Sequence, residues 1–120
     1  MSTLPYIAGK KPAHPYDTLA HEFLLDLYQR GYSKTTIQTY GWHLYKLCTW
    51  LTKSGYSKPC EITNLSIRER GAFVREKYSP ATQKQNITIT KAFFQFLVNE
   101  KICARNPADV LHFPKVLVTE

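Results

Sequence analysis

An amphipathic pattern between Ser33 and Lys53 constrains the fold more than any other stretch of the sequence. Its apolar residues recur at alternating steps of three and four, at Ile37, Tyr40, Leu44, Leu47 and Leu51. This spacing places them on one side of an α-helix that faces a core. The opposite side has no acidic residue, since neither Asp nor Glu occurs between Asp26 and Glu61. The pattern therefore predicts a half-buried helix with a basic and hydroxylated outer face.

Cap and turn residues predict three further helices and a short fifth one. The predicted boundaries are Asp17 as N-cap to about Arg30, Ser33 as N-cap to Lys53, a Ser66/Glu69 capping box to about Lys77, Ser79-Pro80 to about Glu100, and Asn106-Pro107 to about His112. No strand-period alternation or solenoid repeat is present. The sequence thus predicts an all-α fold, a four-helix bundle with a short fifth helix.

The same periodicity predicts which side chains are buried. The predicted apolar stripes are Leu19, Phe23, Leu24 and Leu27 on the first helix, and Ile87, Ile89, Thr90, Phe93, Phe94, Phe96 and Leu97 on the fourth. Cys48 is predicted to be a small core residue. The third helix is predicted to point its charges outward, at Arg68, Glu69, Arg70, Arg75, Glu76 and Lys77. The Glu22/Asp26 pair is predicted to lie on a solvated helix face.

Charge is distributed unevenly along the chain. Sixteen Lys and Arg residues against nine Asp and Glu give a net charge of +7 and a pI near 9.4. A basic balance is typical of nucleic-acid binders, although charge alone equally allows a protein in which it serves solubility. The predicted fourth helix also lacks acids between Glu76 and Glu100. Two acid-free helices favour a surface that faces DNA.

Ten side chains on these two helices are the predicted DNA contacts: Lys34, Thr35, Gln38, Thr39, Trp42, Lys46, Lys84, Gln85, Thr88 and Lys91. Lysines neutralise phosphates, whereas glutamine can pair bidentately with adenine, so Gln38, Gln85 and Thr39 are the candidates for base edges. Trp42 could pack on a sugar or a base edge, or alternatively against another helix or the N-terminal arm. The general alternative is that both faces are simply solvated helix surfaces.

Several function classes have no support in the sequence. No GxSxG, P-loop, HExxH or dinucleotide-binding motif occurs, so no catalysis and no cofactor is predicted. The cysteines have no paired spacing, the histidines have no ligand spacing, and each histidine is predicted at a surface or helix flank, so no metal site is expected. Neither a signal peptide nor a membrane span is recognisable, and we expect a cytoplasmic protein without a membrane partner.

Three stretches resemble the tyrosine recombinases, the phage-integrase and Xer-type family. Tyr32 to Tyr40, followed by Leu44 and Trp50-Leu51, is similar to the family's S-x-x-T-x-x-x-Y-x-x-x-L … F/W-L helix. Ser79-Pro80-Ala81-Thr82 with Phe93 to Leu97 resembles its S-x-x-T … F-Y-x-F-L helix. Asn106-Pro107-Ala108 and Phe113-Pro114-Lys115 resemble the N-P-A … P-K stretch before the family's next domain.

The resemblance implies a SAM-like core-binding domain, an orthogonal four-helix bundle over residues 17–113. Residues 1–16 are then a flexible arm, and residues 114–120 a linker toward a catalytic domain that this chain lacks. Double-stranded DNA and other recombinase protomers are the implied partners, and the chain alone is expected not to cleave DNA. Two alternatives stay open: a helical module that binds an acidic protein, and a stand-alone DNA-binding regulator.

Overall fold

The computed structural model of the protein describes residues 16–56 and 58–114. Its elements are α1 (Tyr16–Gln29), α2 (Lys34–Lys53), a 3₁₀ helix (Pro59–Glu61), α3 (Asn64–Lys77), α4 (Pro80–Asn99) and a second 3₁₀ helix (Pro107–Val110). The predicted all-α fold class is confirmed, and no strand occurs in these two ranges. The predicted arm, except Tyr16, and the predicted linker, except Pro114, lie outside the described residues.

Local signals explain where the two acid-free helices begin and where α1 and α2 end. Ser33 and Ser79 are the predicted N-caps, and their hydroxyls accept hydrogen bonds from the amides of Thr36 at 3.1 Å and Thr82 at 3.4 Å. Pro80 occupies the first turn of α4, where its missing N–H costs nothing. Gly31 and Gly55 follow α1 and α2 with φ of +93°, a left-handed conformation that glycine adopts without a steric penalty.

The predicted start of α3 is wrong by one turn. Thr63 is the N-cap, and its hydroxyl accepts the amide of Ser66 at 3.1 Å. Ser66 is buried inside the first turn, where its hydroxyl forms hydrogen bonds with those of Tyr56 and Thr63. The Ser66/Glu69 capping box therefore does not form, because the hydroxyl of Thr63 three residues earlier takes the capping role.

Two other predicted boundaries also need correction. The helix α1 already includes Tyr16, so Asp17 lies within the first turn and is not the N-cap. The predicted fifth helix is a 3₁₀ helix that ends at Val110, two residues before His112. It ends there because Leu111 adopts an extended backbone, with ψ of 138°, and buries its side chain. The 3₁₀ helix Pro59–Glu61 falls in a stretch predicted to be a loop.

The core is one cluster of buried side chains from all four α-helices and the second 3₁₀ helix, and Phe23 is one of its fully buried rings. The Phe23 ring lies 5.7 Å from Phe93, 5.4 Å from Phe96 and 6.1 Å from Tyr40, measured between centroids. The predicted stripes are confirmed as buried at Phe23, Leu24, Leu27, Ile37, Leu44, Leu47, Leu51, Ile87, Ile89, Thr90, Phe93, Phe94 and Leu97. Cys48 is buried as predicted, and Leu19, Tyr40 and Phe96 are partly buried against the same core.

Two polar residues predicted at the surface are in fact inside. Arg70 is 5% exposed, because its position on α3 lies between those of the buried residues Ile67 and Val74 at helical spacing. Its guanidinium carbon lies 5.1 Å from the Phe73 ring and 5.8 Å from the Trp50 ring. His43 is 3% exposed, on the side of α2 that also buries Leu47. Both predictions of an outward position are therefore wrong.

Candidate nucleic-acid interface

A groove runs between the N-terminal halves of α2 and α4. Its volume is about 340 Å³, and it is lined by Thr35, Thr36, Thr39, Tyr40, Ala81, Lys84, Gln85, Thr88 and Ile89. Threonines and Ala81 are small, so the two helices leave space between them. No carboxylate is among these lining residues, as expected from the acid-free stretches of both helices. The polar side-chain groups of the groove wall are thus hydroxyls, one glutamine amide and one lysine ammonium.

Five of the ten predicted contact residues meet in this groove: Thr35, Thr39, Lys84, Gln85 and Thr88. The other five do not line it. Lys34 and Gln38 are exposed on α2 beside the groove, and Trp42 and Lys46 continue the same face of α2 at spacings of three and four residues. Lys91 lies farther along α4. The predicted set thus forms a central groove with extensions along both helices.

Trp42 is half-exposed and also in contact with other parts of the fold. Its ring meets the Tyr78 ring, at the end of α3, at 6.0 Å, and the His43 ring at 4.8 Å, both edge to face. The Lys46 ammonium lies 5.6 Å from the Trp42 ring centroid. The alternative that Trp42 packs against another helix therefore holds for one side of the ring, while 46% of the residue stays accessible.

Lys91 is only partly available to a ligand. Its Nζ atom lies 5.5 Å from the Phe113 ring centroid, and its backbone carbonyl accepts a hydrogen bond from Asn106 Nδ2 at 3.1 Å. These contacts attach the segment after α4 to the middle of that helix. Lys84 is exposed at the groove itself, and so presents its charge more openly than Lys91 does.

A buried polar pair lies behind the groove and was not predicted. Asn86 Nδ2 lies 3.4 Å from His43 Nδ1, which connects α4 to α2. Burial lowers the pKa of His43, a hydrogen bond with the Gln85 side chain opposes this, and the charge of Arg70 lowers the pKa further. Burial also lowers the pKa of Arg70. The position of His43 one residue before Leu44 and four before Leu47 could have indicated its inward side.

Two kinds of site find no support in the described residues. Within residues 16–56 and 58–114, no group of three or more His, Cys, Asp or Glu residues could hold a metal ion. No helix in those ranges combines the length and the hydropathy that a membrane-spanning helix needs.

Comparison with known protein families agrees with this architecture. The family described as "Phage integrase, N-terminal SAM-like domain" matches residues 20–101, a range that begins within α1 and includes all of α2, α3 and α4. The chain belongs to this family. The match confirms the resemblance to tyrosine recombinases, and the SAM-like domain includes both walls of the groove.

Two curated relatives of the SAM-like domain are each called tyrosine recombinase XerD. The Vibrio cholerae protein is 27% identical over 104 residues, which is 85% of this chain and 34% of that protein. The Haemophilus influenzae protein is 28% identical over 103 residues, or 78% of this chain and 33% of that protein. The chain thus spans about a third of the length of these relatives. No solved structure matches it significantly.

Proposed function

We propose that this SAM-like domain binds duplex DNA through α2 and α4, and holds it in position for strand exchange by a separate catalytic domain of a tyrosine recombinase. The observation that carries the proposal is the acid-free groove in which Lys84, Gln85 and four threonines converge. The names of the two similar proteins, both tyrosine recombinases, support the reaction class. Neither a metal nor a nucleotide cofactor is part of the proposal.

The chemistry of the groove suits a sugar-phosphate backbone. Hydroxyls of Thr35 and Thr88 can donate to phosphate oxygens, and Lys84 neutralises charge. The Thr39 hydroxyl donates to the Thr35 carbonyl at 3.2 Å, which leaves its oxygen as an acceptor. The first turns of α2 and α4 add backbone N–H groups and positive dipole ends, since each cap hydroxyl satisfies only one of these donors. We assign base contacts to Gln38 and Gln85, because an amide can both donate to and accept from an adenine edge.

Trp42 and Lys46 extend the surface along α2. The ammonium above the indole ring is exposed together with it, so the pair presents a charge and an apolar face side by side. Such a pair can contact a phosphate and the adjacent sugar at the same time. We therefore assign Trp42 and Lys46 to backbone contacts outside the groove, and Lys34 to a phosphate at its other end.

Cleavage is assigned to another part of the parent recombinase. In this reaction class a tyrosine forms a 3′-phosphotyrosyl bond, and Tyr40 is unsuited to that role. Its ring contacts Phe23 and Tyr32, and burial raises its pKa, which disfavours the nucleophilic phenolate. Other protomers on the same DNA are the proposed protein partners of the full-length recombinase.

The proposal is tested by titrating the chain with a mixed-sequence DNA duplex at several salt concentrations. Lys84→Ala is expected to weaken binding to every sequence and to lower the slope of log K against log salt by about one. Lys58→Ala, an exposed lysine in the loop before the first 3₁₀ helix, is the matched control and should leave the slope unchanged. The absence of a binding response to DNA at every salt concentration would instead favour a module for an acidic protein.

A further inference from the structure

The side chain of His43 is enclosed between three helices. It projects from α2, its Nδ1 atom lies 3.4 Å from Asn86 Nδ2 on α4, and its ring meets the Trp42 ring at 4.8 Å with an interplanar angle of 87°. With 3% exposure it cannot touch a ligand itself. Both side chains that flank it, Trp42 and Gln85, are exposed and belong to the proposed DNA surface.

The contact with Asn86 favours the neutral imidazole. With the Asn86 amide nitrogen facing the ring, Nδ1 is the acceptor, and the proton of the neutral ring lies on Nε2. The hydrogen bond with Gln85 is then one that Nε2–H donates to the side-chain oxygen. This arrangement leaves the Gln85 NH₂ group directed away from His43, with two donors for a ligand in the groove.

The charges around His43 disfavour a second proton. Arg70 acts on it from α3, and the Tyr78 hydroxyl at the end of α3 interacts with Arg70. The helix α4 faces it with the amides of Gln85 and Asn86, and α2 contributes the Trp42 ring. Neither α2 nor α4 contains a carboxylate that could pair with an imidazolium. If His43 were protonated, the Asn86 amide would have to rotate so that its oxygen faces the ring. The positive charge of the imidazolium would also face the positive charge of Arg70.

We propose that His43 is a positioning residue, which in its neutral form orients the Gln85 amide for base-specific DNA recognition and the Trp42 ring for its backbone contact, and which releases both when it is protonated. The inference rests on the proposed DNA-binding function. A neutral His43 would make base recognition in the groove depend on pH, although no histidine lines the groove itself. An exposed histidine would act in the opposite direction, because a gained charge strengthens binding to a polyanion.

The test compares three variants on duplexes that differ at single base pairs. Gln85→Ala defines the base pair that Gln85 reads. His43→Leu is expected to lose preference at that same base pair, by about fivefold for the loss of one orienting hydrogen bond, and His43→Gln to restore part of it. From about pH 7.5 to about pH 5.5 the wild type should lose affinity, whereas both His43 variants should not. Unchanged base preference in His43→Leu would overturn the inference.

A second readout does not depend on DNA. In a pH titration followed by NMR, the Gln85 side-chain amide and the Trp42 indole N–H resonances should shift with the midpoint of His43, and should stop doing so in His43→Gln. Resonances that do not follow His43 would refute the positioning role even if the groove binds no DNA. If Lys84→Ala lowers the salt slope but the His43 variants show none of the expected changes, the proposed DNA surface is supported and the positioning role of His43 is refuted.

Discussion

The Cδ2 atom of Leu111 lies 2.9 Å from the position that a Cβ atom on Gly71 would occupy. A glycine within a helix costs about 1 kcal/mol relative to alanine, and here the structure gives a reason for it. The chain after the second 3₁₀ helix docks on α3, and Leu111 fills the space that a side chain at position 71 would need. The absence of a side chain at Gly71 thus lets the segment after the second 3₁₀ helix pack closely on α3.

The first prediction concerns Gly71→Ala. In the wild-type background the gain in helix propensity of about 1 kcal/mol should be cancelled by displacement of Leu111, so the free energy of unfolding changes little. In a Leu111→Ala background the same change should stabilise by about 1 kcal/mol. Urea denaturation of the four proteins of this double-mutant cycle measures the coupling. Equal effects in both backgrounds would show that Leu111 does not restrict position 71.

Asn106 has two hydrogen-bonding roles that substitution can separate. Its Oδ1 accepts the Ala108 amide at 2.9 Å, and its Nδ2 donates to the Lys91 carbonyl at 3.1 Å. Asn106→Asp keeps the acceptor and should cost about 1 kcal/mol, while Asn106→Ala loses both bonds and should cost about 2 kcal/mol. Thermal or urea unfolding measures the loss in free energy of unfolding for each variant. If Asn106→Asp destabilises the protein as much as Asn106→Ala does, the two hydrogen bonds do not have separate roles.

Arg70 is a buried cation whose Nε has no hydrogen-bond partner among the described residues. An apolar side chain of similar length should avoid the desolvation cost, so Arg70→Met is expected to be neutral or stabilising by on the order of 1 kcal/mol. Because the Arg70 charge lowers the pKa of His43, the same variant should raise that pKa. Histidine titration by NMR measures this, with the exposed Arg68→Met as control. Marked destabilisation would mean that the contacts of Arg70 with Trp50 and Phe73 outweigh its burial.

The lowered pKa of His43 predicts how stability depends on pH. The unfolded chain binds a proton near the ordinary value of 6.5, whereas the folded chain binds it only at lower pH. The contribution of neutral His43 is therefore fully present above this value and is lost as the pH falls from it toward the folded pKa. Urea denaturation between neutral and mildly acidic pH should show this decline. His43→Gln should reduce the slope, and an identical slope would contradict the prediction.

The two lysines of α4 should differ in their effect on DNA binding. Lys84 is exposed at the groove, whereas Lys91 lies over the Phe113 ring and is partly buried. Lys91→Ala should therefore lower the salt slope less than Lys84→Ala does. In a Phe113→Ala background, Lys91→Ala should lower the slope by nearly as much as Lys84→Ala. Gln38→Ala should change sequence preference more than the slope. Equal slopes for the two lysine variants would show that Phe113 does not restrain Lys91.

Most of the helical architecture could be read from short-range patterns. The caps at Ser33 and Ser79, the glycines after α1 and α2, and the apolar stripes around Phe23 act within one or two helical turns, so neighbouring residues suffice to predict them. The same holds for the acid-free faces of α2 and α4, because charge along a helix follows directly from residue order. The predicted start of α3 was wrong because Thr63 and Ser66 both offer a hydroxyl that could cap a helix. In the structure the Ser66 hydroxyl forms a hydrogen bond with Tyr56, and the Thr63 hydroxyl is the cap.

The interior polar contacts depend on residues that are distant in sequence. His43 and Asn86 are separated by 43 positions, and Arg70 is enclosed by aromatic rings from two helices. Helical periodicity states which side of a helix a residue occupies, but not which neighbouring element covers that side. Packing of α2 against α4 therefore decided which of the ten predicted contacts share a groove. Docking of the segment after α4 decided that Lys91 lies over the Phe113 ring.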